Sequence, residues 1–155
     1  MSHESATTRD VTLAVRELVL GWERYRESVA DELGVGTSEV VTLGFLYHDG
    51  PRTPSEIGQR LNLTSGSVTA LLDRLEAAAF VNRSQNPDDR RSLLATATPA
   101  GRHAMQWFYE RLDEMIGEQL QHVPQLPLGD LVALANATGG VLAERAHESK
   151  QQQRH

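Results

Sequence analysis

Two groups of side chains carry the chemistry of base and phosphate recognition. Ser65, Ser67, Thr69 and Arg74 fall within one short segment, and the adjacent arginines Arg90 and Arg91 follow the Pro87-Asp88-Asp89 turn. Short hydroxyls let a helix backbone come close to base edges, and hydroxyls with an arginine can bond bases or phosphates. An arginine on a projecting loop can enter a narrow minor groove and respond to its width. Of the pair, Arg90 is the preferred candidate for that groove. The plainer alternatives are that the hydroxyls only cap and solvate a helix start, and that one arginine pairs with Asp73, Asp88 or Asp89 to stiffen the loop.

The elements that must hold these groups are legible on either side of them. Thr53-Pro54-Ser55-Glu56 predicts a capping box with proline at the first helical position, and Ile57 and Leu61 give a short amphipathic helix ending near Asn62. Thr64 is the expected N-cap of the next helix, through Glu76, whose apolar residues Val68, Leu71, Leu72 and Leu75 follow the i, i+3, i+4, i+7 spacing. Ser65, Thr69, Asp73 and Arg74 occupy its other side, with Ser67 near the edge. Two β-like runs between Val81 and Thr98 then flank the Pro/Asp turn. This succession outlines a mainly α fold with a small β-wing, a winged helix-turn-helix lobe over 37–98, and makes double-stranded DNA the leading partner.

The remaining segments predict helices that seek other helices. Val15, Leu18, Trp22, Tyr25, Val29 and Leu33 recur at nearly the 3.5-residue repeat of side-by-side helices. After Thr98-Pro99, a fifth helix presents Ala104, Met105, Phe108, Leu112, Met115, Ile116 and Leu120, broken near Pro124 and Pro127. A last helix offers Leu128, Leu131, Leu134, Ala135, Val141 and Leu142. The expectation is a single domain over 1–155, with dimerisation helices at 11–34 and 99–147 and frayed tails before Val11 and after His147. A homodimer would read a pseudo-palindromic site with half-sites about 10 base pairs apart.

The residues Leu-Thr-Ser-Gly-Ser-Val-Thr-Ala-Leu-Leu-Asp-Arg-Leu-Glu (63–76), then Asn-Pro-Asp-Asp-Arg-Arg-Ser, then Thr-Pro-Ala-Gly-Arg resemble the MarR family of bacterial transcription regulators. The resemblance extends more loosely over nearly the whole chain. It implies one long helix before the DNA-binding lobe and two after it, all three building a dimer, most often of a repressor. It also implies a small anionic or phenolic effector at the junction of the dimer helices and the lobe, for which Trp22, Tyr25, Tyr47, His48, Trp107 and Phe108 are the candidate lining residues. Core or interface packing is the competing role for those rings. Three positions depart from the family pattern: Ala79 stands where a helix-ending glycine is usual, Asn86 where Asp is common, and Ala70 where many members carry a basic residue.

Composition bounds the rest. The chain has 155 residues and no cysteine, which excludes disulfides, thiol redox sensing and thiolate metal sites. Its net charge is -6, but 52–102 holds seven arginines against five acids, leaving eight basic and sixteen acidic residues elsewhere. The central lobe is therefore mildly cationic and the outer helices acidic. His103, His122 and His147 with Glu110, Glu118 and Glu148 lack tight metal-ligand spacing and read as surface groups, so no metal or other cofactor is expected. The three Asn-x-Ser/Thr strings read as chance. No basic-then-apolar leader or membrane-length apolar run is apparent, so a cytoplasmic location is expected. With no phosphate loop, nucleophile elbow or placed carboxylate pair, an enzyme is not expected. The competing function is a winged-helix protein–protein interaction module with incidental DNA affinity.

Overall fold

The computed structural model describes residues 6–152 other than 88, 90, 124 and 126. Arg90, Asp88 and Pro124, which the sequence singled out, therefore lie outside the described residues. In chain order the elements are α1 (Thr8–Leu33), α2 (Thr37–Asp49), α3 (Pro54–Leu61), α4 (Ser65–Ala77), β1 (Val81–Gln85), β2 (Leu93–Ala97), α5 (Pro99–Leu120) and α6 (Leu128–Gln152). The mainly helical fold with a small two-stranded wing is as the sequence predicts. The chain divides into two compact units, residues 1–110 and 111–155, with the division inside α5.

Local chemistry explains the boundaries. Thr53 and Glu56 form a reciprocal capping box at the start of α3, and the Thr64 hydroxyl accepts the Ser67 amide at the start of α4. Thr98 caps α5 by accepting the Gly101 amide at 3.0 Å. Its own hydroxyl donates to the Ala79 carbonyl at 2.7 Å, so one threonine ties the end of α4 to the start of α5. Asn62 takes the left-handed conformation that ends α3. Ala79 does the same after α4, with φ at 59°, its amide bonded to Glu76 and that of Phe80 to Leu75, which is a complete Schellman closure without glycine.

The ends of the chain correct the expected tails. α1 begins at Thr8, not near Val11, because Thr7 and Asp10 form another capping box. α6 runs to Gln152, beyond the expected end near His147.

In the first unit the core gathers Val29 and Ala30 of α1, Val40, Leu43 and Leu46 of α2, Ile57 of α3, the four predicted apolar residues of α4, Val81, Ala95 and Ala97 of the strands, and Ala104, Met105 and Phe108 of α5. β1 and β2 pair antiparallel from Val81↔Ala97 to Gln85↔Leu93. Arg52 adds an isolated bridge to Ala95, which widens the wing by one extended residue the sequence did not reveal.

The predicted stripe on α1 splits along its length. Val29 is buried in the first unit, whereas Val15 and Leu18 are exposed. Among the described residues of the second unit none is buried, and Met115, Ile116, Leu128, Leu131, Leu134, Val141 and Leu142 are all exposed apolar side chains. Among the described residues no helix is long and apolar enough to cross a membrane.

Candidate nucleic-acid interface

Burial of Val68, Leu71, Leu72 and Leu75, each at most 1% exposed, fixes the rotation of α4 and turns Ser65, Ser67, Thr69, Asp73 and Arg74 outward. Two of the outward hydroxyls are already partly engaged. Ser67 Oγ shares a 2.9 Å hydrogen bond with Thr64 Oγ1, and Thr69 Oγ1 donates to the Ser65 carbonyl at 3.0 Å. Thr69 so arranged presents free lone pairs and a methyl group, the chemistry that meets an exocyclic amine or a thymine methyl in a major groove.

Arg74 leaves the same face but is held. Its Nε donates to Glu39 Oε1 at 2.5 Å, and its Nη2 lies 2.5 Å from the same oxygen. The Arg74 side chain is 60% exposed and that of Glu39 only 3%. α2 thus supplies a buried carboxylate to the outward face of α4.

A second ion-pair cluster locks the wing to α4. The Arg83 amide donates to Glu76 Oε1 at 2.8 Å, Arg83 Nε to Glu76 Oε2 at 2.9 Å, and Arg83 Nη2 to Asp73 Oδ1 at 2.6 Å and also to Glu76 Oε2. These hydrogen bonds from Arg83 hold the Glu76 carboxyl below its ordinary pKa, and the two carboxylates raise that of Arg83. The structural partner of Asp73 is therefore Arg83 of β1, a residue to which the sequence gave no role. Strand alternation contained the signal: Arg83 lies two residues after the buried Val81 and so shares its face toward α4.

At the wing tip, Asp89 acts on backbone. Its carboxylate accepts the Arg91 amide at 3.0 Å, and its carbonyl accepts both the amide and the hydroxyl of Ser92. Asn86 and Ser92 close the loop through backbone and side-chain hydrogen bonds, each at 3.0 Å. Arg91 is exposed on this braced turn.

The six aromatic and imidazole candidates do not come together in one place within the first unit. Trp22, His48 and Phe108 line a cavity of about 470 Å³ together with Arg26, Phe45, Arg60 and Tyr109. Tyr25 lies behind it, stacked on Phe108 and donating to the Phe108 carbonyl at 3.3 Å. Tyr47 stacks on Tyr109. Trp107 lines a different hollow, beside Phe80 and His103. The sequence reading missed the cations of the cavity. Arg60 lies over the Phe45 ring, and Arg26 Nε is buried without a hydrogen-bond partner among the described residues.

A helix-turn-helix whose second helix is buried on one side and hydroxyl-bearing on the other, followed by a braced arginine wing, defines a DNA-binding transcriptional regulator of the winged-helix class. Comparison with known proteins agrees. Residues 37–93 match the model of the MarR family. The chain is 27% identical to the uncharacterised HTH-type regulator YcgE of Bacillus subtilis over 127 residues, 82% of each protein. It is 31% identical to the multiple antibiotic resistance protein MarR of Salmonella typhimurium over 98 residues, 63% of this chain and 68% of that protein. Two solved structures share the fold: Staphylococcus aureus MepR in a DNA complex (TM-score 0.59, 23% identity, 77% of this chain and 98% of that one) and NadR in complex with 4-hydroxyphenylacetate (TM-score 0.66, 16% identity, 91% and 96%). The chain belongs to the MarR family of transcriptional regulators.

Proposed function

We propose that the protein is a homodimeric repressor that places α4 of each chain in successive major grooves of a pseudo-palindromic operator and releases it when a small aromatic anion binds. The observation that carries this reading is the face of α4, which outside bears hydroxyls and the Arg74 guanidinium held by Glu39 and inside is fully apolar. Ser65, Ser67, Thr69 and Arg74 would meet base edges or phosphates, and Arg90 and Arg91 the adjacent minor groove.

Dimerisation is supported by what a lone chain leaves bare. The exposed apolar residues along the first half of α1, and separately along α6, are more than a monomer ordinarily shows water. The effector reading is supported by the cavity. Rings of Trp22, Phe45, Phe108 and Tyr109 offer stacking walls, and Arg26 and Arg60 offer cations. A carboxylate entering there would give the buried Arg26 Nε the acceptor it lacks. Because α2 supplies both the cavity wall at Val40, Val41, Gly44 and Phe45 and the Glu39 that holds Arg74, an occupant that shifts α2 would be felt at α4.

Selection of duplexes from a randomised pool tests the reading, followed by titration of the selected duplex between 50 and 200 mM salt. The expected results are a two-fold-symmetric consensus and a loss of about 10³ to 10⁵ in affinity, as for 6 to 10 phosphate contacts. No duplex binding at low salt would instead support a protein-interaction module.

A further inference from the structure

We infer that Glu39 is a positioning residue that sets the sequence discrimination of Arg74, turning a mobile cation into an aimed, charge-balanced hydrogen-bond donor; this rests on the placement of Arg74 in the groove proposed above. The pair is asymmetric in a way that surface ion pairs are not. Its carboxylate is nearly inaccessible and its guanidinium mostly exposed. Oε1 of Glu39 takes Nε and Nη2 of Arg74, while Oε2 folds over the helix start, so close that a Cβ on Gly36 would sit 2.3 Å from it. The carboxylate is therefore confined by its own helix on one side and by Arg74 on the other.

Two consequences follow from that confinement. A buried carboxylate deprived of its cation is strongly destabilising, so Arg74 does not abandon Glu39 for a phosphate. Nη1, and the second N–H of Nη2, remain as the donors it can turn to DNA, in a plane fixed by the pair. The charges of Glu39 and Arg74 also cancel, so Arg74 contributes little to counterion release, which is the sequence-blind part of binding. What remains is directional hydrogen bonding, the part that distinguishes one base step from another.

The test uses the full-length chain with Glu39→Gln, which keeps an oxygen acceptor of the same shape and removes the charge. Binding to the selected duplex and to an unrelated duplex is titrated across 50–200 mM salt. Two uncancelled arginines per dimer should steepen the log–log salt slope by about 1.8. Affinity for the unrelated duplex should rise several-fold at 50 mM, and the ratio of selected to unrelated affinity should fall by roughly tenfold. A Glu39 that merely supports the fold would leave slope and ratio alone, and that result in a folded Glu39→Gln protein overturns the inference. Gly36→Ala displaces the carboxylate without altering charge; it should lower the ratio at unchanged slope, and an unchanged ratio counts against the inference. Melting of Glu39→Gln, Arg74→Gln and the double variant separates the two levels. The double variant should lose much less than the singles summed, whereas additive losses reject the pairing itself. If the losses are non-additive but the unaltered protein binds no duplex, the pair is a fold link only and the specificity role is refuted.

Discussion

Ala79 closes α4 in a conformation that favours glycine, and Ala79→Gly should stabilise the protein without touching its function. With φ at 59° the Ala79 Cβ crowds the neighbouring carbonyl, a conflict costing an L-residue about 1–2 kcal/mol. The substitution removes one exposed methyl group and no hydrogen bond, since the Ala79 amide to Glu76 and the Thr98 hydroxyl to the Ala79 carbonyl are backbone contacts at residue 79. Against the relief stands the freedom glycine adds to the unfolded chain, about 0.4–1 kcal/mol. The net gain is about 0.5–1 kcal/mol, which for a chain of this length raises Tm by about 1–4 °C. Thermal unfolding of both proteins should be followed at one fixed concentration, because the proposed association would make Tm depend on concentration. Ala79→Val is the opposing control, a β-branched side chain at positive φ, and should lower Tm by more than glycine raises it. Equal or reduced stability of Ala79→Gly, or a neutral Ala79→Val, would refute the strain argument. Affinity for the selected duplex should be unchanged by the glycine, because residue 79 follows the reading face rather than forming it.

The remaining predictions concern contacts seen directly. Gly101→Ala should cost roughly 1–3 kcal/mol in denaturant titration, because the new Cβ would lie 2.2 Å from the Phe80 carbonyl, a backbone atom that cannot swing aside. Arg83→Met should leave far-UV circular dichroism intact while speeding hydrogen exchange in β1 and weakening duplex binding, since it cuts the wing from Asp73 and Glu76. Arg83 holds the Glu76 pKa low, so this clamp contributes stability that is fully present above the ordinary glutamate pKa of 4.5 and is lost as pH falls through the lowered value. Protection factors at β1, corrected for the intrinsic pH dependence of amide exchange, should fall only below about pH 4.5, and Arg83→Met should erase that acid dependence. Leu18→Asp, at a position 72% exposed, should leave the first unit folded and shift sedimentation toward single chains if α1 carries the dimer contact.

How much of this was readable beforehand depends on whether the deciding contact is local. The caps at Thr53, Thr64 and Thr98 are bonds between residues three apart, and the buried face of α4 is a helical period, so both could be taken from the string of residues. The Thr-Pro-x-Gly start of α5 was legible as a pattern, but its reason was not: Gly101 is needed because the Phe80 carbonyl passes over it, a contact between chain segments 21 residues apart. The arginines show the same division. Paired basic residues after a Pro/Asp turn announce a wing, but which acid each arginine meets depends on how strands and helices are stacked. The turn suggested Asp73 as partner for a tip arginine, whereas the strand register brings Arg83 to it instead. Arg74 and Glu39 are 35 residues apart and meet only because α2 packs across α4. Aromatic residues were legible as a set, yet only packing sends Trp22 and Phe108 to a cavity with Arg26 while Trp107 faces elsewhere. Charge follows the same logic as shape here: composition revealed a mildly cationic lobe, but three of its arginines divide between a wing clamp at Arg83, a tethered donor at Arg74 and an exposed tip at Arg91. Two of those three charges are already balanced by carboxylates within the chain, so its arginine content overstates the uncompensated positive charge the lobe presents, and under the proposed function its sequence-blind attraction to phosphates should be correspondingly small.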